Sequence, residues 1–262
     1  MFDLNNIYNQ DAVLGLKQIQ DESIDLIIAD PPYVISKESN FHTMKDRKNA
    51  RTGTNFGKWD MDFDNNPWIT ESFKTLKPGG SLIVFNDFKK SSVVVDIATN
   101  AGYIYKDTLI WKKTNPMPRN RDRRYIPDVE MLIWFVKPGK WTYNRQNEKY
   151  ESSILPFAVE SGGGFKRYHP TQKPVKLIEY LLFIHSNEGD IVLDPFMGSG
   201  TTAIASMNTN RNFIGFELDK NYYDICINRI NAKQKLNLFS DISSKFGLLK
   251  SLGGSECKQI TI

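Results

Sequence analysis

Four runs of apolar residues constrain what this chain can fold into more than anything else in it. They are "DLIIA" (25–29), "SLIVFN" (81–86), "DIVLDPF" (190–196) and "NFIGFEL" (212–218). A strand with one face in water alternates apolar and polar residues. These runs do not alternate, which is the pattern of parallel strands covered by helices on both faces. Segments with helical spacing lie between them: 11–19, 91–102 with Gly102 as a stop, 174–186 with Pro174 in the first turn, 201–208 and 220–235. The alternation predicts an α/β fold, doubly wound around a mostly parallel sheet.

Two further runs, "YIYKDTLIWKK" (103–113) and "VEMLIWFVK" (129–137), are rich in β-branched and aromatic residues. The segment between them is too short for a crossover helix with two turns, so they are expected to pair antiparallel at one edge of the sheet. Residues 138–168 show no period and contain the triplet Gly162-Gly163-Gly164, which predicts a long irregular insertion of the kind that carries function. Residues 1–235 read as one domain and 236–262, ending in "SLGGSECKQITI", as a loose tail. With 24% charged and 40% hydrophobic residues, and no apolar stretch near the roughly 18 residues of a membrane helix, no membrane association is expected. The N-terminus lacks the basic start and apolar run of a secretory signal, and the two cysteines, Cys226 and Cys257, fit a reducing compartment, so a cytoplasmic protein is expected. The histidines His42, His169 and His185 have no metal-ligand spacing, and no metal is expected.

Two motifs carry chemistry. In "IVLDPFMGSGTTAIASMN" (191–208) an apolar strand meets a Gly-Ser-Gly turn and then a helix, so that backbone amides at the helix start can approach a ligand closely. Such a turn alone can equally serve only to pack a helix on a strand. Glu217, at the end of the next apolar strand, is placed to accept the ribose hydroxyls of an adenosine. Gly200 is followed by Thr201 rather than the lysine of a P-loop, which points to an adenosine without a triphosphate. The other motif is Asp30-Pro31-Pro32-Tyr33, at the end of the first run. Its two prolines remove two backbone donors and fix the chain direction, so the carboxylate and the phenol are held on a stiff loop.

Together "ADPPY" (29–33) and "DPFMGSGTT" (194–202) resemble the S-adenosylmethionine-dependent amino-methyltransferases of DNA, with the acceptor motif first and the cofactor motif last, as in their β class. The likeness runs from about Tyr8 to about Arg229 and includes "HPTQKP" (169–174); "TNFGKWD" (54–60) and "NPMPRNRDRRY" (115–125) resemble a bacterial adenine-specific subgroup. The resemblance implies a Rossmann-like, seven-stranded sheet with an antiparallel edge hairpin. It implies that Asp194, Pro195, Phe196, Gly198, Ser199, Gly200 and Thr201 surround S-adenosylmethionine, that Glu217 binds its ribose and Asp11 its adenine amino group, and that Lys173 lies near its methionine part. Asp30, Pro31, Pro32 and Tyr33 become the catalytic residues. Double-stranded DNA, a second copy of the chain in a homodimer and a cognate restriction endonuclease are the implied partners.

Set beside that resemblance, the acceptor motif makes chemical sense. The exocyclic amine of adenine is a poor nucleophile because its lone pair is delocalised into the ring. Acceptors on its two hydrogens, Asp30 and the Pro31 carbonyl, pull the nitrogen toward a tetrahedral geometry, while Tyr33 offers a face for the extracted base. Stiff prolines pre-position both acceptors. The basic segment 112–125, with Lys112, Lys113, Arg119, Arg121, Arg123 and Arg124, suits phosphates or guanine edges, or is a solvated hairpin tip. Residues 36–60, with Phe41, Phe56 and Trp59, are placed to close over a flipped base, and 138–168 is the candidate target-recognition region. Cytosine-N4 methylation remains open on the same scaffold, although that branch tends to show Ser-Pro-Pro-Tyr. RNA or glutamine methylation tends to show Asn-Pro-Pro-Tyr. Methylation at carbon 5 of cytosine requires a cysteine nucleophile, usually after a proline, and neither cysteine follows one. A silent DNA-binding module would have no need of either motif.

Overall fold

The computed structural model of the chain describes residues 2–32, 63–116, 125–160 and 172–245, with side chains up to residue 236 of the last helix. In chain order the elements are β1 (Asn6–Tyr8), α1 (Ala12–Leu16), β2 (Ile24–Ala29), α2 (Asn66–Thr75), β3 (Leu76–Asn86), α3 (Ser91–Ala101), β4 (Ile104–Lys113), β5 (Val129–Val136), β6 (Ile154–Phe157), α4 (Val175–His185), β7 (Ile191–Asp194), α5 (Thr201–Asn208), β8 (Asn212–Phe216) and α6 (Lys220–Lys245). One sheet joins all eight strands in the order β1-β8-β7-β2-β3-β5-β4-β6. Strands β1, β8, β7, β2 and β3 run parallel, and β5 is antiparallel to both its neighbours, β3 and β4.

The unbroken apolar runs are explained by which way their side chains point. Along β2, Ile27 and Ala29 enter a core with Trp68 and Ile69 of α2 and Val94 and Ala98 of α3. Leu26 and Ile28 enter a second core on the opposite face, with Leu177, Leu181 and Leu182 of α4. All four β2 side chains are 0–2% exposed. Burying each large aliphatic side chain stabilises the fold by roughly 1.5–3 kcal/mol, so a polar residue on either face would be costly. Strands β7 and β8 sit centrally for the same reason, and α6 closes a third, smaller core through Cys226 and Ile230.

Several expectations need correction. Among the described residues the sheet has eight strands rather than seven, because residues 138–168 are not wholly irregular: Ile154–Phe157 pair in parallel with β4. The antiparallel pair β4–β5 is therefore not the sheet edge; β6 covers it, taking the Ile110 amide on the Ser153 carbonyl at 2.8 Å. Pro156, which has no amide to donate, is tolerated because β6 is itself an edge strand. Strand β3 begins earlier than the apolar run at 81–86: it includes "KPGG" (77–80), where the register against β2 jumps from Ile24↔Leu76 to Leu26↔Ser81. Gly79 adopts φ +82° there, and a Cβ would lie 2.2 Å from the Lys140 carbonyl oxygen. Helix α6 continues to Lys245, ten residues into what reads as tail. Helix α2, with Pro67 in its first turn, was not anticipated. Among the described residues no helix is long and apolar enough to cross a membrane.

Candidate active site

Parallel strands that share a direction deliver their carboxyl ends to one rim, and here that rim opens into a cleft of about 590 Å³. Gln10 and Asp11 after β1, Asp30, Pro31 and Pro32 after β2, the turn after β7, Glu217, Leu218 and Asp219 after β8, and Gln172 and Lys173 ahead of α4 all line it. The two motifs, far apart in sequence, meet because β2 and β7 are hydrogen-bonded neighbours. Of the residues that resemblance assigns to the cofactor, Asp11, Lys173, Asp194, Pro195, Phe196, Gly198, Ser199, Thr201 and Glu217 line this cleft. Gly200 is the left-handed N-cap of α5 at φ +86°, packed against Cys226 behind the turn.

The turn is held by its own carboxylates. Asp194 is 5% exposed and accepts from the Phe196 amide at 2.9 Å and from the Thr202 hydroxyl at 2.6 Å. Burial pushes its pKa up from 3.8 to about 7. Glu217 accepts from the Gly198 amide with one oxygen and from the Asp219 amide with the other, each at 2.8 Å, and burial raises its pKa as well. Asp11 caps α1 through the Leu14 amide at 3.0 Å. Phe196 meets Phe63 and Trp68 edge-on, at 5.6 and 5.3 Å between ring centres, which builds an aromatic wall.

Lys173 is 6% exposed and pairs with Asp30 at 2.8 Å and with Glu130 at 3.2 Å. Burial alone would lower its pKa, but the two carboxylates outweigh burial and hold it above the usual lysine value. The cleft is acidic nonetheless: among the described residues Asp11, Asp30, Asp194, Glu217 and Asp219 line it against Lys173 as the one basic side chain. Lys112 and Lys113 sit at the end of β4, where Lys112 pairs with Asp128 and Lys113 with Glu130, the latter at 2.7 Å. Tyr33, Arg119, Arg121, Arg123 and Arg124 lie outside the described residues, as do the loop 36–60, the 161–168 part of the insertion and the first residues of "HPTQKP". His185 is not at the cleft; it packs on Trp134 at 4.6 Å, and burial holds its pKa down at about 3, the neutral form.

Residue patterns missed the supports of this site. Arg229 of α6 donates to the Ser199 carbonyl at 2.7 Å, and Glu160 accepts from the Gln172 amide group and the Val175 backbone amide, both at 2.7 Å, capping α4. Glu130 had a legible signal, an acid at the head of an otherwise apolar strand. Glu160 and Arg229 had none, since each acts through partners distant in the chain.

A family model described as DNA methylase matches residues 24–228. The Type II methyltransferase M.HinfI of Haemophilus influenzae is 32% identical over 248 residues, which cover 87% of this chain and 68% of the relative. The Type II methyltransferase M2.DpnII of Streptococcus pneumoniae is 29% identical over 251 residues, 88% of this chain and 91% of the relative. Among solved structures, the M1.HpyAVI–SAM complex superposes with a TM-score of 0.67 at 36% identity, covering 86% of this chain and 98% of that one. The PvuII DNA methyltransferase (cytosine-N4-specific) shares the fold, with a TM-score of 0.63 at 20% identity over 85% of this chain and 84% of that one. With its whole motif-bearing core inside that match, the chain belongs to the DNA methylase family and is a DNA methyltransferase.

Proposed function

We propose that the protein transfers a methyl group from S-adenosylmethionine to the N6 amino group of an adenine flipped out of double-stranded DNA. The observation that carries this reading is the meeting of Asp30-Pro31-Pro32 with Asp194, Gly198 and Glu217 around one acidic cleft. The cleft fits the cofactor. Its volume falls within the range of small-ligand sites, its carboxylates favour a cation, and the buried Gln10 Nε2 in its lining lacks a hydrogen-bond partner among the described residues.

When bound, S-adenosylmethionine supplies a methyl group made electrophilic by its sulfonium charge. Glu217 spends one lone pair of each oxygen on backbone amides and keeps the others for ribose hydroxyls. Asp194 and Phe196 would border the cofactor, Asp11 would take its adenine amino group and Lys173 would lie near its methionine part. Asp30 accepts one hydrogen of the target amine and the Pro31 carbonyl the other, with Tyr33 under the base. Forming the new N–C bond would break the sulfonium S–CH3 bond and release S-adenosylhomocysteine, and the extra amine proton would afterwards leave to Asp30 or to water. Duplex recognition is assigned to the basic segment after β4 and to residues 138–168, in a cytoplasmic enzyme that acts as a homodimer beside a restriction endonuclease. Asp30, where cytosine-N4 enzymes tend to carry serine, favours adenine.

The test is to incubate the protein with methyl-labelled S-adenosylmethionine and mixed-sequence duplex DNA, digest the DNA and identify the labelled nucleoside. N6-methyladenine is expected. N4-methylcytosine, label confined to RNA or protein, or DNA binding without transfer would each overturn the proposal.

A further inference from the structure

Four charges form a line from the sheet's antiparallel region to the acceptor motif. Lys113 Nζ lies 2.7 Å from Glu130 Oε1, Glu130 Oε2 lies 3.2 Å from Lys173 Nζ, and Lys173 Nζ lies 2.8 Å from Asp30 Oδ2. The topology explains why they meet. Because β5 is antiparallel to β3, its first residues stand at the rim where β3 ends, with Met131 opposite Asn86, and Glu130 therefore reaches the rim that carries Asp30. Glu130 turns one oxygen toward each ammonium, its Oε2 facing Lys173 as an ion pair without a hydrogen bond, and Lys173, which also lies 5.0 Å above the Phe85 ring, is closed off from water. Burial alone would raise the Glu130 pKa, but Lys173 and Lys113 outweigh it and hold the group below its usual value, so the line stays charged.

We propose that Lys113, Glu130 and Lys173 are positioning residues for the transfer step. They fix the orientation of the Asp30 carboxylate, and Lys113 serves the active site rather than a DNA phosphate. A long lysine stem holds a carboxylate only as well as its own head is held, and Glu130 braced by Lys113 supplies that second anchor for Lys173. This rests on Asp30 being the acceptor proposed above. The effects are read as ratios to the wild-type rate on whichever exocyclic amine the wild-type chain methylates, so a wrong target base and a wrong positioning role give different results.

The experiment uses the full chain with Lys113→Met, Glu130→Gln and the double variant. It measures S-adenosylmethionine affinity by calorimetry, duplex affinity across a salt series, and single-turnover methyl transfer with both ligands saturating. Each single variant is expected to slow transfer about 10-fold or more, with both affinities changed less than about twofold. The double variant should be no slower than the slower single, because residues acting as a unit are not additive. The double variant also removes the ion pair whole, leaving no unpaired charge, so it reports even where a single variant does not fold. A phosphate contact behaves differently: Lys113→Met would then weaken duplex binding and flatten the salt dependence by about one ion. That outcome, transfer within about twofold of wild type in Glu130→Gln or in the double variant, or rate losses that multiply would overturn the proposal.

Discussion

Asp194 is a carboxylate held where water does not reach, and its pKa of about 7 marks how poorly the ligand-free fold tolerates its charge. A folded-state pKa raised above the unfolded value contributes stability that is complete below pH 3.8 and is lost as pH rises through about 7. Asparagine can keep the Phe196 and Thr202 contacts without a charge. Thermal unfolding without cofactor should therefore show Asp194→Asn gaining on wild type from pH 5 to pH 8 and levelling off above that; a difference that stayed constant with pH would refute the assignment. A cationic ligand relieves the same cost, so S-adenosylmethionine affinity, measured by calorimetry, should rise across pH 6 to 8 in wild type and not in Asp194→Asn. Gly200 is constrained by geometry instead. At φ +86°, with a Cβ only 2.3 Å from Cys226 Sγ, Gly200→Ala should destabilise the protein by about 2 kcal/mol or more, read from chemical denaturation midpoints.

At the level of elements, legibility follows how locally each element's burial is encoded. Strands β2, β7 and β8 and helices α3, α4 and α5 declare themselves because their burial is written into consecutive residues. Strand β6 does not, because a four-residue edge strand containing proline carries no period and exists only through its pairing with β4. Helix α2 carries a weak signal, since only Pro67, Trp68, Ile69 and Phe73 mark its apolar side within ten otherwise mostly polar residues. The supports of α4 show the same limit. Its N-cap, Pro174, offers no side-chain hydrogen bond, and Glu160 from the insertion takes that place while also holding Gln172. Glu160→Ala should lower stability by about 1 kcal/mol, as loss of a helix cap does, and weaken cofactor binding through the released Gln172. Unchanged melting and unchanged cofactor affinity would show that the contact is incidental.

For the whole molecule, the decisive fact is which strands become neighbours. Asp30 and Asp194 were each legible as motif residues, Asp30 ahead of two prolines and Asp194 ahead of a glycine turn, but nothing local says that β2 lies beside β7. The sheet order supplies it: β7 and β8 lie on one side of β2, and β3 and the antiparallel pair on the other. Asp30, the proposed acceptor, thus stands at the end of the strand between β7 and β3. The acidic lining suits a cationic donor. Glu130, though visible as an acid at the head of an apolar strand, was illegible as the partner of Lys173 because that contact depends on the strand order. The most direct measurement expresses the wild-type chain and Asp30→Asn in cells that lack adenine and cytosine-N4 methylation, and quantifies modified nucleosides in their DNA. N6-methyladenine should accumulate with wild type and fall at least about 100-fold with Asp30→Asn, the scale expected of a positioned acid–base group. N4-methylcytosine from the wild-type chain, or N6-methyladenine undiminished by Asp30→Asn, would contradict the account.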